Sequence, residues 1–352
     1  MKLNHLVKAG VAIVATAASL GASAATSNGV TVSISPAKKM HGKADDVWVN
    51  VTMTNTSGKD QLVAKWHTPF ADEMEESLFE VTRDGEKVAY TGAHYKRGTP
   101  TSADYFVLKA GKSYNGKVEL SAMYDMSVTG DYVISYKTAS MNLFQNSSEK
   151  GELKSGSASF SVDGLYPRGY KAPAGGGVDI AATGPLSFTK CTTSQQSTIT
   201  QAMAAAQVMA DSSYAYTQAG TAGQRYTKWF GAYTSTRYNT VKSHFAAIKD
   251  AFDTKPVTVD CGCKKTYYAY VYPTQPYKIY VCKAFWSAPM SGTDSKGGTL
   301  VHEMSHFNAV AGTDDHAYGH SAASSLAISN PDQAVDNADS HEYFSENTPA
   351  LN

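Results

Sequence analysis

The chain has 352 residues, more than one hydrophobic core usually fills, so two folded units are the starting expectation. Its 42% hydrophobic and 18% charged residues suit globular domains and exclude a coiled coil or a disordered chain. With 31 basic and 31 acidic residues there is no net field to favour nucleic acid or an anionic membrane, and no local basic patch supplies one.

At the N-terminus Lys2 and Lys8 lead into an apolar run over 9–20, followed by the small residues Ala22, Ser23 and Ala24. This is the pattern of an export signal cleaved after residue 24. The run is too short to anchor the chain, because a membrane span takes about 20 apolar residues. The mature protein is therefore expected to be secreted and extracellular, with no stable membrane insertion.

Residues 30–162 form short alternating runs separated by turn signals. Val47, Val49, Val51 and Met53 alternate with Trp48, Asn50, Thr52 and Thr54, the period of a half-buried strand. Segments 78–81 and 87–90 flank Arg83, Asp84, Gly85 and Glu86, which reads as a hairpin, and 132–136 and 157–162 continue the pattern. An all-β, immunoglobulin-like antiparallel sandwich is expected over 25–165. Pro167, Pro173 and Pro185 around Gly175, Gly176 and Gly177 then make a linker, placed at 166–185, that sustains neither helix nor central strand.

The remainder, 186–352, changes character. Residues 194–219 have few breakers, and 238–252 places Val241, Phe245, Ile248 and Phe252 at helical spacing. Segments 266–272 and 277–283 read as two strands of a hairpin, and a further helix is expected over 299–311, ended by Gly312. The unit is thus expected to be mainly helical with a small antiparallel sheet. All four cysteines, Cys191, Cys261, Cys263 and Cys282, lie here, and an even number in an exported chain reads as two disulfides. Cys261 and Cys263 face opposite ways in an extended chain, so they are expected to bond to different partners.

Within the last expected helix stand His302, Glu303 and His306. Two histidines four residues apart project from one helical face and can hold a zinc ion, while Glu303 beside the first can take a proton from water. Catalytic zinc needs a third protein ligand. A metzincin would have Gly at 309 and His at 312, but Ala309 and Gly312 stand there. A thermolysin-type enzyme would supply a downstream glutamate, and none occurs between Glu303 and Glu342. Asp314, Asp315, His316 and His320 remain as candidates.

The run Gly312, Thr313, Asp314, Asp315, His316, Ala317, Tyr318, Gly319 matches Gly-Thr-x-Asp-x-x-Tyr-Gly at every fixed position. Together with the histidine motif it resembles the aspzincins, the deuterolysin and peptidyl-Lys metalloendopeptidase family, over roughly 189–352. The resemblance implies a zincin catalytic domain holding one catalytic Zn2+, with Asp315 as third ligand and Tyr318 as hydrogen-bond donor to the developing oxyanion. It also implies the disulfides Cys191–Cys261 and Cys263–Cys282. The β-unit becomes, on this reading, an inhibitory prodomain, and the protein a monomeric zymogen acting on protein or peptide substrates. Secreted bacterial members of the family include toxins, which makes a role in virulence part of the same expectation.

Asp339 and Glu342, three residues apart, lie on one face of a helical turn, and alone they read as a solvated acidic surface. The resemblance turns them into the walls of a pocket for a lysine following the cleaved bond. Tyr170–Lys171 in the linker is then an expected activation site. Two other readings stand beside this one: a broad-specificity deuterolysin-type protease, and a non-catalytic secreted binding protein with a vestigial zinc site.

Overall fold

The alternation at 47–54 is realised as the strand Trp48–Asn55, whose Val49, Val51 and Met53 are fully buried while the residues between them are half-exposed. The structure is a computed structural model describing residues 27–43, 45–71, 74–145, 147, 149–171 and 186–352. The expected export signal, and Pro173, the three linker glycines and Pro185, lie outside the described residues. Trp48–Asn55 is the centre of a three-stranded antiparallel sheet, between Val30–Pro36 and Ser113–Glu119. A second sheet runs Met40–His41, Ala158–Val162, Gly130–Ser140, Phe79–Arg83, Glu86–Lys87. Apolar side chains of both sheets share one core, including Val51 and Met53 from the first and Val81, Ile134 and Phe160 from the second.

The expected hairpin forms where Phe79–Arg83 turns into Glu86–Lys87, with Asp84 at φ 50° and Gly85 at φ 87°. Two successive left-handed residues give a tight turn whose twist matches the strands. One pairing differs from an all-antiparallel sandwich: Met40–His41 runs parallel to Ala158–Val162.

The C-terminal region is helical around a small sheet. Thr193–Gln218 and Ser235–Thr254 pack together over a core that includes Ile199, Val241, Phe245 and Ile248. Thr192 caps the first of these through a reciprocal bond with Gln195. The strands Ala269–Val271 and Lys278–Val281 pair antiparallel as a hairpin should. Their sheet, however, is mixed and five-stranded. Ser187–Thr189 and Thr258–Asp260 add parallel strands on one side, and the other edge is extended by His94–Lys96 from the N-terminal region. Disulfides join Cys191 to Cys261 and Cys263 to Cys282 around this sheet.

The expected helix over 299–311 is shifted: it spans Lys296–His306. It starts early because Ser295 accepts from Gly298 N–H and caps it. It stops early because the His306 imidazole bonds the Thr313 carbonyl, and Gly312 N–H returns to the Phe307 carbonyl, folding the chain back over the helix end.

Candidate metal centre and active site

Every residue of the Lys296–His306 helix is buried, with His302, Glu303 and His306 fully so. The chain that folds back brings Asp315 opposite them. His302 Nε2 and His306 Nε2 lie 3.1 Å apart, and each is 3.4 Å from an oxygen of Asp315. His306 Nδ1 is 2.8 Å from the Thr313 carbonyl oxygen, which can only accept, so Nδ1 carries the proton. His302 Nδ1 lies 3.0 Å from Asp339 Oδ1 and is protonated for the same reason. Both Nε2 atoms therefore present lone pairs to each other, and both Asp315 oxygens are buried without a hydrogen-bond partner. Such an array repels itself unless a cation sits among the three groups. Its spacing agrees with the separation of about 3.3 Å expected between tetrahedral ligands about 2.0 Å from zinc, and the orienting partners are those that metal-binding histidines usually have.

Glu303 lies beside this group with neither oxygen hydrogen-bonded. Burial pushes its carboxyl up to about 7, and a bound cation would draw it down again. The sequence candidates left over are placed elsewhere. Asp314 accepts from its neighbour's backbone and faces His94 at 3.4 Å, His316 pairs with Asp336 at 2.9 Å, and the His320 ring packs against Trp229 and Tyr343.

Asp339 and Glu342 sit on the helix Ala338–Glu346 and are fully buried rather than solvated. Their partner is a residue that sequence reasoning missed. Lys96 reaches across from the N-terminal region, fully buried, with Nζ 2.7 Å from Glu342, 3.2 Å from Asp339 and 3.3 Å from Asp294. Burial alone would lower its pKa, but the carboxylates of Asp339 and Glu342 outweigh it and hold the ammonium well above its ordinary value. Tyr318, also fully buried, donates its hydroxyl proton to Glu76 at 2.7 Å, another N-terminal residue. Burial, and then the neighbouring Asp315, push the Tyr318 phenol well above its usual range. Arg97 follows Lys96, pairs with Glu75 at 3.1 Å and lies over the rings of Trp66 and Tyr267. No local pattern marks residues 94–97, and the Tyr–Lys pair at Tyr95–Lys96 is no signal, since it also occurs at Tyr136–Lys137, Tyr170–Lys171 and Tyr277–Lys278. At Tyr170–Lys171 the structure leaves Lys171 exposed against Glu86, on the N-terminal region.

A buried two-histidine, one-carboxylate group with an adjacent glutamate, on a helix beside a small sheet, has the arrangement of a metal-dependent hydrolase. Residues 215–346 match the model of the family described as lysine-specific metallo-endopeptidase, the aspzincins. An extracellular protease of Aeromonas hydrophila is 46% identical over 318 residues, covering 89% of this chain and 91% of the relative. A peptidyl-Lys metalloendopeptidase of Armillaria mellea is 38% identical, covering 86% and 88%. The enzyme of that description from Pleurotus ostreatus is 49% identical over 167 residues, which is 98% of its own length and 47% of this chain. The chain belongs to the aspzincin family and is a zinc metalloendopeptidase. Among the described residues no helix is long and apolar enough to cross a membrane.

Proposed function

We propose that the chain is a secreted preproenzyme that, once activated, cleaves peptide bonds on the N-terminal side of lysine. The parts are an export signal at 1–24, an immunoglobulin-like inhibitory prodomain at 25–165, a joint at 166–185 cut during activation, and a monomeric catalytic unit at 186–352. The size of the Pleurotus relative, about half of this chain, supports the division.

The observation that carries the lysine selectivity is the buried Lys96 ammonium held beside His302 by the fully buried Asp339 and Glu342 and the part-exposed Asp294. A neutral side chain there would leave carboxylates buried without a counter-charge, so the pocket discriminates by charge as well as by fit. The same contact supports latency, because an occupied pocket admits no substrate. Glu76 adds to it by holding the Tyr318 hydroxyl away from any other acceptor.

In this reading His302, His306 and Asp315 hold one zinc ion, which supplies polarisation of water and of the substrate carbonyl. Glu303 removes a proton from the attacking water and delivers it to the departing amine. Tyr318, once free of Glu76, donates to the carbonyl oxygen as charge develops on it. Asp339 and Glu342 fix the lysine and so the bond. Digestion of a proteome-derived peptide library by the mature enzyme tests the selectivity: new N-termini should begin mostly with lysine. A library cut without lysine preference would make this a broad-specificity enzyme.

A further inference from the structure

The segment that fills the site is laid out as a substrate would be. His94–Lys96 pairs antiparallel with the sheet edge, in the register Lys96 to Ala269, Tyr95 to Tyr270 and His94 to Val271. Tyr268 N–H also donates to the Lys96 carbonyl at 3.1 Å. At one end the His94 ring lies against His306, centroid to centroid 4.9 Å, and a ligand atom of His94 comes within 4.8 Å of those of His306 and Asp315. At the other end the Lys96 ammonium meets Asp339 and Glu342, the two carboxylates that also flank His302 Nδ1. Side chains on both sides of Tyr95 thus lie against the His302, His306 and Asp315 group or its partners. The Lys96 backbone N–H is close enough to bear on the Glu303 carboxylate, though it makes no full hydrogen bond with it. That nitrogen is the one a cut before lysine would release.

We propose that the Tyr95–Lys96 peptide bond is the enzyme's own first substrate, cut within the same molecule. The inference rests on the reading of Asp339 and Glu342 as a lysine pocket. A chain held in a fixed register with its lysine seated has lost the freedom that an encounter between two molecules must remove, so the intramolecular cut outruns the intermolecular one. Once Glu76 releases the Tyr318 hydroxyl, the water oxygen bonds to the Tyr95 carbonyl carbon and the C–N bond breaks, leaving the electron pair on the Lys96 nitrogen. That nitrogen takes the proton which Glu303 removed from water. The products are a Tyr95 carboxylate and a Lys96 α-ammonium, with no other reactant consumed.

The cut does not by itself free the site. Trp48–Asn55 and Phe79–Arg83 precede Lys96, whereas their partners Ser113–Glu119 and Gly130–Ser140 follow it, so the two pieces stay interleaved in one core. The nicked N-terminal unit stays docked until a second cut, in the joint, lets it go.

The test uses the full chain purified with a chelator, then given Zn2+ and sampled over time with chemical labelling of new N-termini. The expected first terminus is Lys96-Arg97-Gly98, appearing at a rate independent of protein concentration across a dilution series. It should be absent from Glu303→Ala, and slowed by about 100-fold or more in Lys96→Gln, whose neutral side chain leaves the pocket uncompensated. Activation without a Lys96 terminus, or a Lys96 terminus whose rate rises with concentration, overturns the proposal. The wild-type time course decides this even where Lys96→Gln fails to fold. A mature enzyme that prefers lysine in peptides while the full chain yields no Lys96 terminus would sink this inference and leave the proposed function standing.

Discussion

Asp339 serves two neighbours at once: its Oδ1 lies 3.0 Å from His302 Nδ1 and 3.2 Å from Lys96 Nζ, while its Oδ2 accepts from Gly319 N–H at 2.7 Å. Glu342 is closer to the lysine, at 2.7 Å, and farther from the imidazole, at 3.3 Å. Substitutions at the two positions should therefore differ in kind. Asp339→Asn is expected to lower zinc affinity by about 10–100-fold, because it weakens the partner that orients His302. Glu342→Gln should relax lysine preference in the mature enzyme with a smaller loss of zinc. Competitive chelator titration beside library digestion measures both, and equal zinc losses would remove the distinction. Glu303→Ala should keep a full zinc complement, since the three donors are untouched, and lose turnover by about 10²–10⁴-fold or more. Zinc content and hydrolysis measured on one preparation check this, and near-normal turnover would take Glu303 out of the chemistry. The two histidines could be read as a candidate pair at this scale because a spacing of four brings them to one helical face, with the glutamate next in sequence to the first. The third donor could not, since four nearby residues offered suitable atoms, and the sequence motif rather than geometry singled out Asp315.

Among the elements, the Lys296–His306 helix depends on a close approach at its start. The Glu346 carboxylate accepts from Ser295 N–H and Ser295 Oγ, both at 2.8 Å, and a Cβ at Gly298 would collide with Glu346 Oε1. Gly298→Ala must push that carboxylate off the helix start, and a loss of about 1–3 kcal/mol is expected. Urea denaturation should show a lower midpoint with an unchanged slope, and an unchanged midpoint would mean that Glu346 moves aside at no cost. The long helices and the alternating strands were readable because each repeats its period over many residues. The bounds of this helix were misplaced by its cap at Ser295 and by the return of Thr313 over His306, both of which depend on the chain that packs around it. His94–Lys96 could not be read at all: three residues carry no period, and their partner Ala269–Val271 lies far downstream.

For the molecule as a whole, two buried histidines contribute to the response to acid. His67, which shares a 2.7 Å hydrogen bond with Thr138 Oγ1, and His341, in the helix Ala338–Glu346, are both pushed down to about 3, chiefly by burial. Between that value and the ordinary 6.5 the unfolded chain binds a proton at each position and the folded chain does not, so stability falls as pH drops through this window. Each contributes at most about 1.4 kcal/mol per pH unit. His67→Gln should flatten the profile of the N-terminal region between pH 6.5 and 3, as seen in thermal denaturation across that range. A profile as steep as wild type would mean that His67 becomes protonated while still folded. At this scale the sequence separated a β-rich half from a helical half, but not their joining through one continuous sheet edge, because such an edge leaves no trace in composition. The cysteines do carry one more message about the whole. Both bridges lie between Cys191 and Cys282, and the chain before them has none. The 70-residue separation closed by Cys191–Cys261 alone is worth about 4 kcal/mol on a chain-entropy account. Durability should thus be unequally shared: the uncrosslinked half is expected to give way first under heat or proteases, and the half holding His302, His306 and Asp315 to outlast it.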